Sequence, residues 1–379
     1  MSGPQPVIVA ADLLSPYGLG TNALWQGLYS NTSAIGPVRR FSTTQFTASA
    51  AGIVEGLQYH DGESLVMQML RRLLDGARGV IPADAHLVLA TTKGEIDLLE
   101  QTVLKGQGDP DACRLDRFLR TVSKLAGVGG EGVVVSAACA SASVAVARAA
   151  ALVRSGRKDC AVVIACDAVT EFVYAGFSSL MALDPERARP FDRDRKGLSV
   201  GEAAAYAVIM SEARARREGR EVLAAIAGWG VADDANHMTG PSRTSEGLLI
   251  AVRKALAAAG IRPVDMGCIS AHGTGTVYND AMELRVFHEL FGTGRVPVYS
   301  VKGGIGHTMG AAGLVEIIMA LRALRERRVP PTVGLRNPDE DARGWVSDQE
   351  QPLRAGRAAL ITNAGFSGIN AAMIVTREE

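Results

Sequence analysis

Val133-Val134-Val135-Ser136-Ala137-Ala138-Cys139-Ala140-Ser141-Ala142-Ser143 passes within eleven residues from a β-branched run to a run of small residues. Branched side chains suit a pleated, packed strand, and alanine is the best helix former. The pattern predicts a strand over 133–136, a helix over 140–153, and Cys139 at the turn between them. A thiol beside a helix N-terminus meets free backbone N–H groups and the positive end of the helix dipole, which favour the nucleophilic thiolate. Taken alone, a cysteine in apolar surroundings is better explained as a small buried hydrophobe. Cys139 therefore needs support from elsewhere in the chain.

Outward from this stretch, short Val/Ile/Ala-rich runs alternate with longer helical patterns. Residues 7–11, 87–90, 161–165 and 203–210 read as strands, and 65–77 as a helix. The polar, basic segment 213–221 interrupts the series, which restarts with strand 223–229, helix 247–259, strand 268–270, helix 280–291, a helix from Gly310, and strands at 358–362 and 371–375. Such alternation predicts an α/β protein with largely parallel, buried sheets. Two similar halves, 1–220 and 221–379, pack as one unit in this reading. In each half a strand runs into a loop of small residues bearing one reactive side chain, Cys139 in the first and His272 in the second. Ligands of open α/β sheets bind beyond the carboxyl ends of the strands, so the two loops are placed to meet in one pocket.

The length of 379 residues suits two or three domains or one large layered unit. Forty basic residues balance forty acidic ones, and nothing in that balance points to nucleic acid or a membrane surface as partner. The five cysteines, Cys113, Cys139, Cys160, Cys166 and Cys268, are odd in number and lack C-x-x-C spacing. This argues against a disulfide framework or a structural zinc, and for a reducing cytoplasm. The longest apolar stretch, 142–153, falls well short of the roughly 20 residues that span a bilayer. The first residues show no basic region followed by a long apolar core. No membrane span, no export signal and a cytoplasmic location are the resulting expectations.

His272 lies in Ser270-Ala271-His272-Gly273-Thr274-Gly275-Thr276, where the glycines permit tight turns and close approach of a ligand. His307 lies in Lys302-Gly303-Gly304-Ile305-Gly306-His307-Thr308-Met309-Gly310-Ala311-Ala312-Gly313. That run has neither the Rossmann nor the Walker spacing, which argues against phosphate binding. Either histidine alone is better explained by structure than by function. One cysteine with two histidines suits a thiol that forms thioesters and two imidazoles that stabilise negative charge on a carbonyl oxygen. Lys302 and Glu316 flank His307, and an ion pair between them would hold its surroundings; an ordinary surface pair has the same spacing.

Ala137-Ala138-Cys139-Ala140-Ser141, His272-Gly273-Thr274-Gly275-Thr276, Lys302 through Gly313, and Gly365-Phe366-Ser367-Gly368-Ile369-Asn370 resemble, in order, the motifs of the elongating β-ketoacyl-acyl-carrier-protein synthases. Further likeness lies in Arg189-Pro190-Phe191-Asp192-Arg193-Asp194-Arg195 with Gly201-Glu202, in Asp234-Ala235-Asn236-His237-Met238-Thr239, and from Ser15-Pro16-Tyr17-Gly18. The resemblance implies a thiolase fold, two duplicated α/β halves in a five-layer αβαβα arrangement, and a homodimer or a heterodimer with a related subunit. It implies Cys139 as acyl acceptor, with His272 and His307 binding the malonyl thioester carbonyl and stabilising the enolate left when carbon dioxide departs. Lys302 with Glu316 would organise the histidines. The backbone N–H groups of Cys139 and Phe366 would form an oxyanion hole, and Phe366 would gate the pocket. Thr239, Thr274 and Thr276 would contact substrate along the pantetheine arm. No cofactor is implied, because the substrates ride on the phosphopantetheine of an acyl carrier protein, the implied partner. Initiating synthases of this fold use Cys-His-Asn, and thiolases need a cysteine in the C-terminal glycine loop; residues 365–370 contain none.

The sequence also departs from that family. Segment 106–132, ahead of the nucleophile, is brief and carries Asp109, Asp111, Arg114, Asp116 and Arg117. The resemblance makes this region part of the dimer contact and of the far end of the acyl pocket. Thr91-Thr92-Lys93-Gly94-Glu95 lacks the family's glycine-rich turn, and Ala364 stands where an aromatic residue is common. These departures point toward specialised metabolism, polyketide or polyene assembly, with fatty-acid elongation as the alternative. Arg71, Arg72, Arg193 and Arg195 are candidates to meet an acidic carrier protein, a solvated charged face being the plain alternative. A second functional class is a non-condensing subunit that shapes a partner's product. Such a subunit has no physical need for Cys139, His272, Lys302 and His307 together.

Overall fold

The computed structural model describes residues 3–60, 62–106, 108–130, 132–292 and 294–377. The apolar runs form β1 (Pro6–Ser15), β2 (His86–Ala90), β3 (Val133–Val135), β4 (Cys160–Asp167), β5 (Ala203–Ser211), β6 (Ala224–Asp233), β7 (Met266–Ser270), β8 (Val298–Tyr299), β9 (Ala358–Ala364) and β10 (Ile369–Thr376). Hydrogen bonds link them in the order β8-β7-β9-β10-β6-β1-β5-β4-β2-β3. In β1-β5-β4-β2-β3 the first two pairings are antiparallel and the last two parallel. The series β6-β10-β9-β7-β8 repeats that order and those senses. The two series meet where Val7 and Ile8 of β1 pair with Ala225 and Ala224 of β6.

The sheets are thus mixed rather than largely parallel. One cause is plain at β9 and β10, where only residues 365–368 separate the strands. So short a connection closes an antiparallel pair, whereas parallel strands need a crossover of a dozen or more residues.

The main helices are α1 (Leu65–Asp75), α2 (Leu115–Leu125), α3 (Ser141–Arg154), α4 (Glu246–Ala259), α5 (Val277–Phe291) and α6 (Ala312–Glu326). Helices α3 and α6 share the largest core, through Val146, Ala150, Leu314 and Ile318, with residues from both sheets. A helix clamped between two sheets is buried nearly all round, which is why α3 is written in Ala, Ser and Val rather than as an amphipathic pattern. Helices α1 and α2 cover the outer face of one sheet with Leu70, Leu73, Phe118 and Val122. Helices α4 and α5 cover the other with Leu248, Val252, Leu284 and Phe287. Helix, sheet, helix, sheet, helix gives the expected five layers.

Within 106–132, residues 107 and 131 lie outside the described residues, and the remainder is a 3-10 turn (Pro110–Cys113) followed by α2. Its charges pair with one another at the surface, Arg117 with Asp109 at 2.7 Å and Arg114 with Asp116 at 3.0 Å. Exposed pairs of this kind add little stability. Among the described residues, no helix is long and apolar enough to cross a membrane, and no cluster of ligating side chains is placed to hold a metal ion.

Candidate active site

The nucleophile turn begins where β3 ends. Strand β2 runs parallel beside it, and the Thr91 N–H donates to the Val135 carbonyl at 3.2 Å. Ala138 takes a left-handed φ of +46°, a conformation that Ser141 holds from within the turn. Its Oγ accepts from the Ala137 N–H at 2.8 Å and donates to the Ala138 carbonyl at 2.6 Å. Cys139 is left two residues before α3, 6% exposed. The Phe366 backbone N–H is directed at its sulfur. Gly365 lies against the turn so closely that a Cβ there would sit 3.2 Å from the Cys139 nitrogen and the Ala137 carbonyl oxygen. The 365–368 turn and the cysteine turn are therefore built as one piece.

The pull toward thiolate expected at the helix terminus is outweighed in this geometry. Burial pushes the Cys139 thiol above its ordinary value of 9.0, against the opposing pull of the Phe366 N–H, Lys93 and Lys302. Desolvation of the charged form outweighs the local donors. The rate of Cys139 alkylation by iodoacetamide, followed by intact mass, is accordingly expected to keep rising with pH past that ordinary value. A rate that levels off at or below it would contradict the assignment.

His272 follows β7 and is fixed from both sides. Its backbone N–H and that of Gly273 donate to Glu283 of α5 at 2.8 and 2.7 Å, and the Thr362 hydroxyl donates to the same carboxylate at 2.7 Å. On the ring, Nδ1 faces Lys302 Nζ at 3.2 Å and Asn363 Nδ2 at 3.3 Å. Two donors at Nδ1 place the ring proton on Nε2. Lys302 also donates to the His272 carbonyl and ion-pairs with Glu316, whose other oxygen accepts from Asn363 Nδ2 at 2.5 Å. At 1% and 0% exposure this is a buried pair rather than a surface one. It grips His272, whereas the sequence spacing placed it around His307.

The His307 ring stands edge-on to that of His272, 5.1 Å between centroids, and its buried Nδ1 has no hydrogen-bond partner among the described residues. Its backbone is tied by its N–H to the Ser199 carbonyl at 2.7 Å and by its carbonyl to the Gly201 N–H at 2.9 Å. Burial, and then the Lys302 charge, hold both imidazoles well below their ordinary 6.5. At neutral pH both are neutral.

Cys139, His272 and His307 line one cavity of about 380 Å³ together with Phe366, Thr239, Thr274 and Thr276. The Thr274 and Thr276 hydroxyls lie 2.9 Å apart, and the Thr239 N–H donates to His237 Nδ1 at 3.1 Å. Phe366 packs on Phe177 at 5.8 Å, and Phe177 in turn meets His307 edge-on at 6.5 Å. The sequence reading missed Glu283, Asn363 and Phe177. Glu283 had one available signal, Asn279 and Glu283 at i and i+4 on the buried face of α5, where they hydrogen-bond at 3.0 Å. Of the four arginines suggested for a carrier protein, Arg195 is buried, donating to Asp339 at 2.5 Å and to the Asp192 carbonyl at 2.8 Å. It is a structural residue. Arg72 spends its guanidinium on the Glu55 and Gly56 carbonyls, at 2.8 and 2.7 Å.

Residues 121–215 match the family model described as beta-ketoacyl synthase, N-terminal domain, and residues 223–336 match that of its C-terminal domain. The chain belongs to the β-ketoacyl synthase family. It is therefore an acyltransferase. The chain is 29% identical to a 3-oxoacyl-[acyl-carrier-protein] synthase 2 of Vibrio cholerae, with 100% of each chain covered. It is 30% identical to a putative polyketide beta-ketoacyl synthase 1 of Streptomyces virginiae, over 99% of this chain and 98% of that one. Among solved structures, the ishigamide ketosynthase/chain length factor superposes with a TM-score of 0.88 at 28% identity, covering 100% of both chains. This β-ketoacyl synthase thus has the thiolase-type architecture of its family from end to end.

Proposed function

We propose that this synthase catalyses decarboxylative Claisen condensation between an acyl group on Cys139 and a malonyl group, both delivered on the phosphopantetheine of an acyl carrier protein. The observation that carries the reading is the convergence of Cys139, the Nε2–H of His272, His307 and the Phe366 N–H on one cavity. In acyl transfer the Cys139 sulfur forms a bond to the thioester carbon, the bond to pantetheine sulfur breaks, and the cysteine proton leaves on the pantetheine thiol. The Cys139 and Phe366 N–H groups hold the oxyanion. Malonyl then loses carbon dioxide, and its electron pair becomes an enolate whose oxygen the two neutral histidines stabilise. The enolate carbon attacks the acyl carbonyl, and Cys139 is expelled as the β-ketoacyl thioester forms. Lys302 and Glu316 hold His272, and Thr239, Thr274 and Thr276 take the pantetheine arm.

The likeness to 3-oxoacyl-[acyl-carrier-protein] synthases, and a ketosynthase/chain length factor among the structural neighbours, support a carrier protein as partner and a dimer as the working form, homomeric or with a related subunit. A cytoplasmic site and two units, 1–220 and 221–379, complete the reading. A purely product-shaping subunit is the lesser reading, because nothing in that role needs a buried Lys302–Glu316 pair gripping His272. Intact mass decides between them: incubated with acyl-carrier-protein thioesters, the wild type gains one acyl mass and Cys139→Ala gains none. Absence of acyl mass from every donor, with and without a related subunit, would overturn the proposal.

A further inference from the structure

The cavity that holds Cys139 runs from a closed end to an open one. Cys139, His272, His307 and Thr274 are at most 6% exposed, whereas Leu180, Val277, Tyr278 and Met181, at 48%, 49%, 76% and 89%, line the same cavity where it meets solvent. Thr276 lies half-buried between the two ends. Lys196 also lines the cavity, is itself exposed, and is the one lysine or arginine in that lining among the described residues. Its neighbours on both sides are fixed against the threonine loop. A Cβ on Gly275, between Thr274 and Thr276, would sit 2.9 Å from the Gly197 carbonyl oxygen. On the other side, the Arg195 guanidinium donates to the Thr276 and Val277 carbonyls at 3.3 and 3.2 Å. Lys196 is thus held beside Thr276 at the open end, and among the described residues its ammonium has no hydrogen-bond or ion-pair partner.

A thioester seated at Cys139 runs its pantetheine arm out past Thr274 and Thr276, and the arm ends in an ionised phosphate. At the open end Leu180, Met181 and Val277 give that charge nothing, whereas an ammonium offers three donors and a full opposite charge. We infer that Lys196 is a specificity-determining residue that binds the phosphate of the arm, so that thioesters borne on a phosphorylated arm are selected over phosphate-free ones. This rests on the condensing reading of Cys139 and deepens it by assigning how the far end of the donor is recognised.

The test is the rate of Cys139 acylation, read by intact mass against donor concentration, with hexanoyl-pantetheine, hexanoyl-phosphopantetheine and hexanoyl-acyl carrier protein. In wild type the phosphorylated small donor is expected to reach half its maximal rate at about fivefold lower concentration than the phosphate-free one, the upper range of one exposed ion pair. The maximal rates should agree, because a group remote from the reacting carbonyl binds equally in ground and transition states. Raising the salt to about 0.5 M should shrink the difference by screening. Lys196→Gln should erase it, and Lys196→Arg, which keeps the charge, should retain it. A role limited to loop structure would slow both small donors alike and leave their ratio alone. Equal half-saturation in wild type, or a ratio unchanged in Lys196→Gln, would overturn the Lys196 assignment by itself. A variant that weakens only the carrier-borne donor would place the ammonium against the carrier protein's own acidic groups and overturn the phosphate assignment. Failure of all three donors to acylate Cys139 would overturn the condensing reading and this inference with it.

Discussion

Replacing His307 with alanine is expected to slow carbon dioxide release from malonyl-pantetheine about a hundred- to a thousandfold, the usual cost of one oxyanion donor. Acylation of Cys139 should stay within about threefold of wild type, because that step draws on the Cys139 and Phe366 backbone donors instead. The separation follows from the geometry. The His307 ring faces that of His272 at 5.1 Å, and neither ring carries a charge to share with the thiol at neutral pH. Carbon dioxide release and intact mass, measured on one preparation, give the two rates. An equal fall in both, or no fall in decarboxylation, would show that His307 does not hold the enolate. The acid limb of decarboxylation is also expected below the ordinary imidazole value of 6.5, since both rings resist protonation.

Lys302→Met is expected to abolish condensation and to lower unfolding free energy in urea by about 3–5 kcal/mol, the cost of stripping one partner from a buried ion pair. Glu316, fully buried, would keep Asn363 as its remaining side-chain donor, and His272 would lose a donor at Nδ1. Burial already pushes the Glu316 carboxyl up, with Lys302 opposing, so in the variant it takes up a proton more readily and the loss falls toward the lower end of that range. The double variant Lys302→Met with Glu316→Gln removes the orphaned charge and should recover most of the stability while remaining inactive. A single variant within about 1 kcal/mol of wild type would place the pair among those that contribute little.

The alternation of strand and helix was readable because each buried strand is a compact run of Val, Ile and Ala, and α3 is a run of small residues that fits between two sheets. The senses of the strands were not readable, since a run buried on both faces looks the same in either direction. Cys139, His272 and His307 stood out for a different reason: each sits in a loop of small residues, and only the three taken together favoured function over a structural role. What escaped was contact at long range. Glu283 reaches back to the His272 backbone from α5, and Asn363 bridges His272 and Glu316 across two elements. Spacing along the chain carries no trace of those meetings. The Lys302–Glu316 pair shows the same limit, because sequence neighbours suggested His307 and the fold delivered His272. The upward push on the Cys139 thiol was not legible because a helix terminus is visible in sequence while the depth of its burial is not.

The pairing of β1 with β6 has a mechanical meaning for the chemistry. Because the two strand series are joined by backbone hydrogen bonds, and α3 and α6 share one core between them, the cysteine and the histidines hang from a single stiff ruler. Reach between the nucleophile and the histidines is then left to the substrate's own flexible arm. The catalytic spacing is then as resistant to thermal motion as the core itself, and a cut between the halves would leave β1 of one piece without its neighbour in the other.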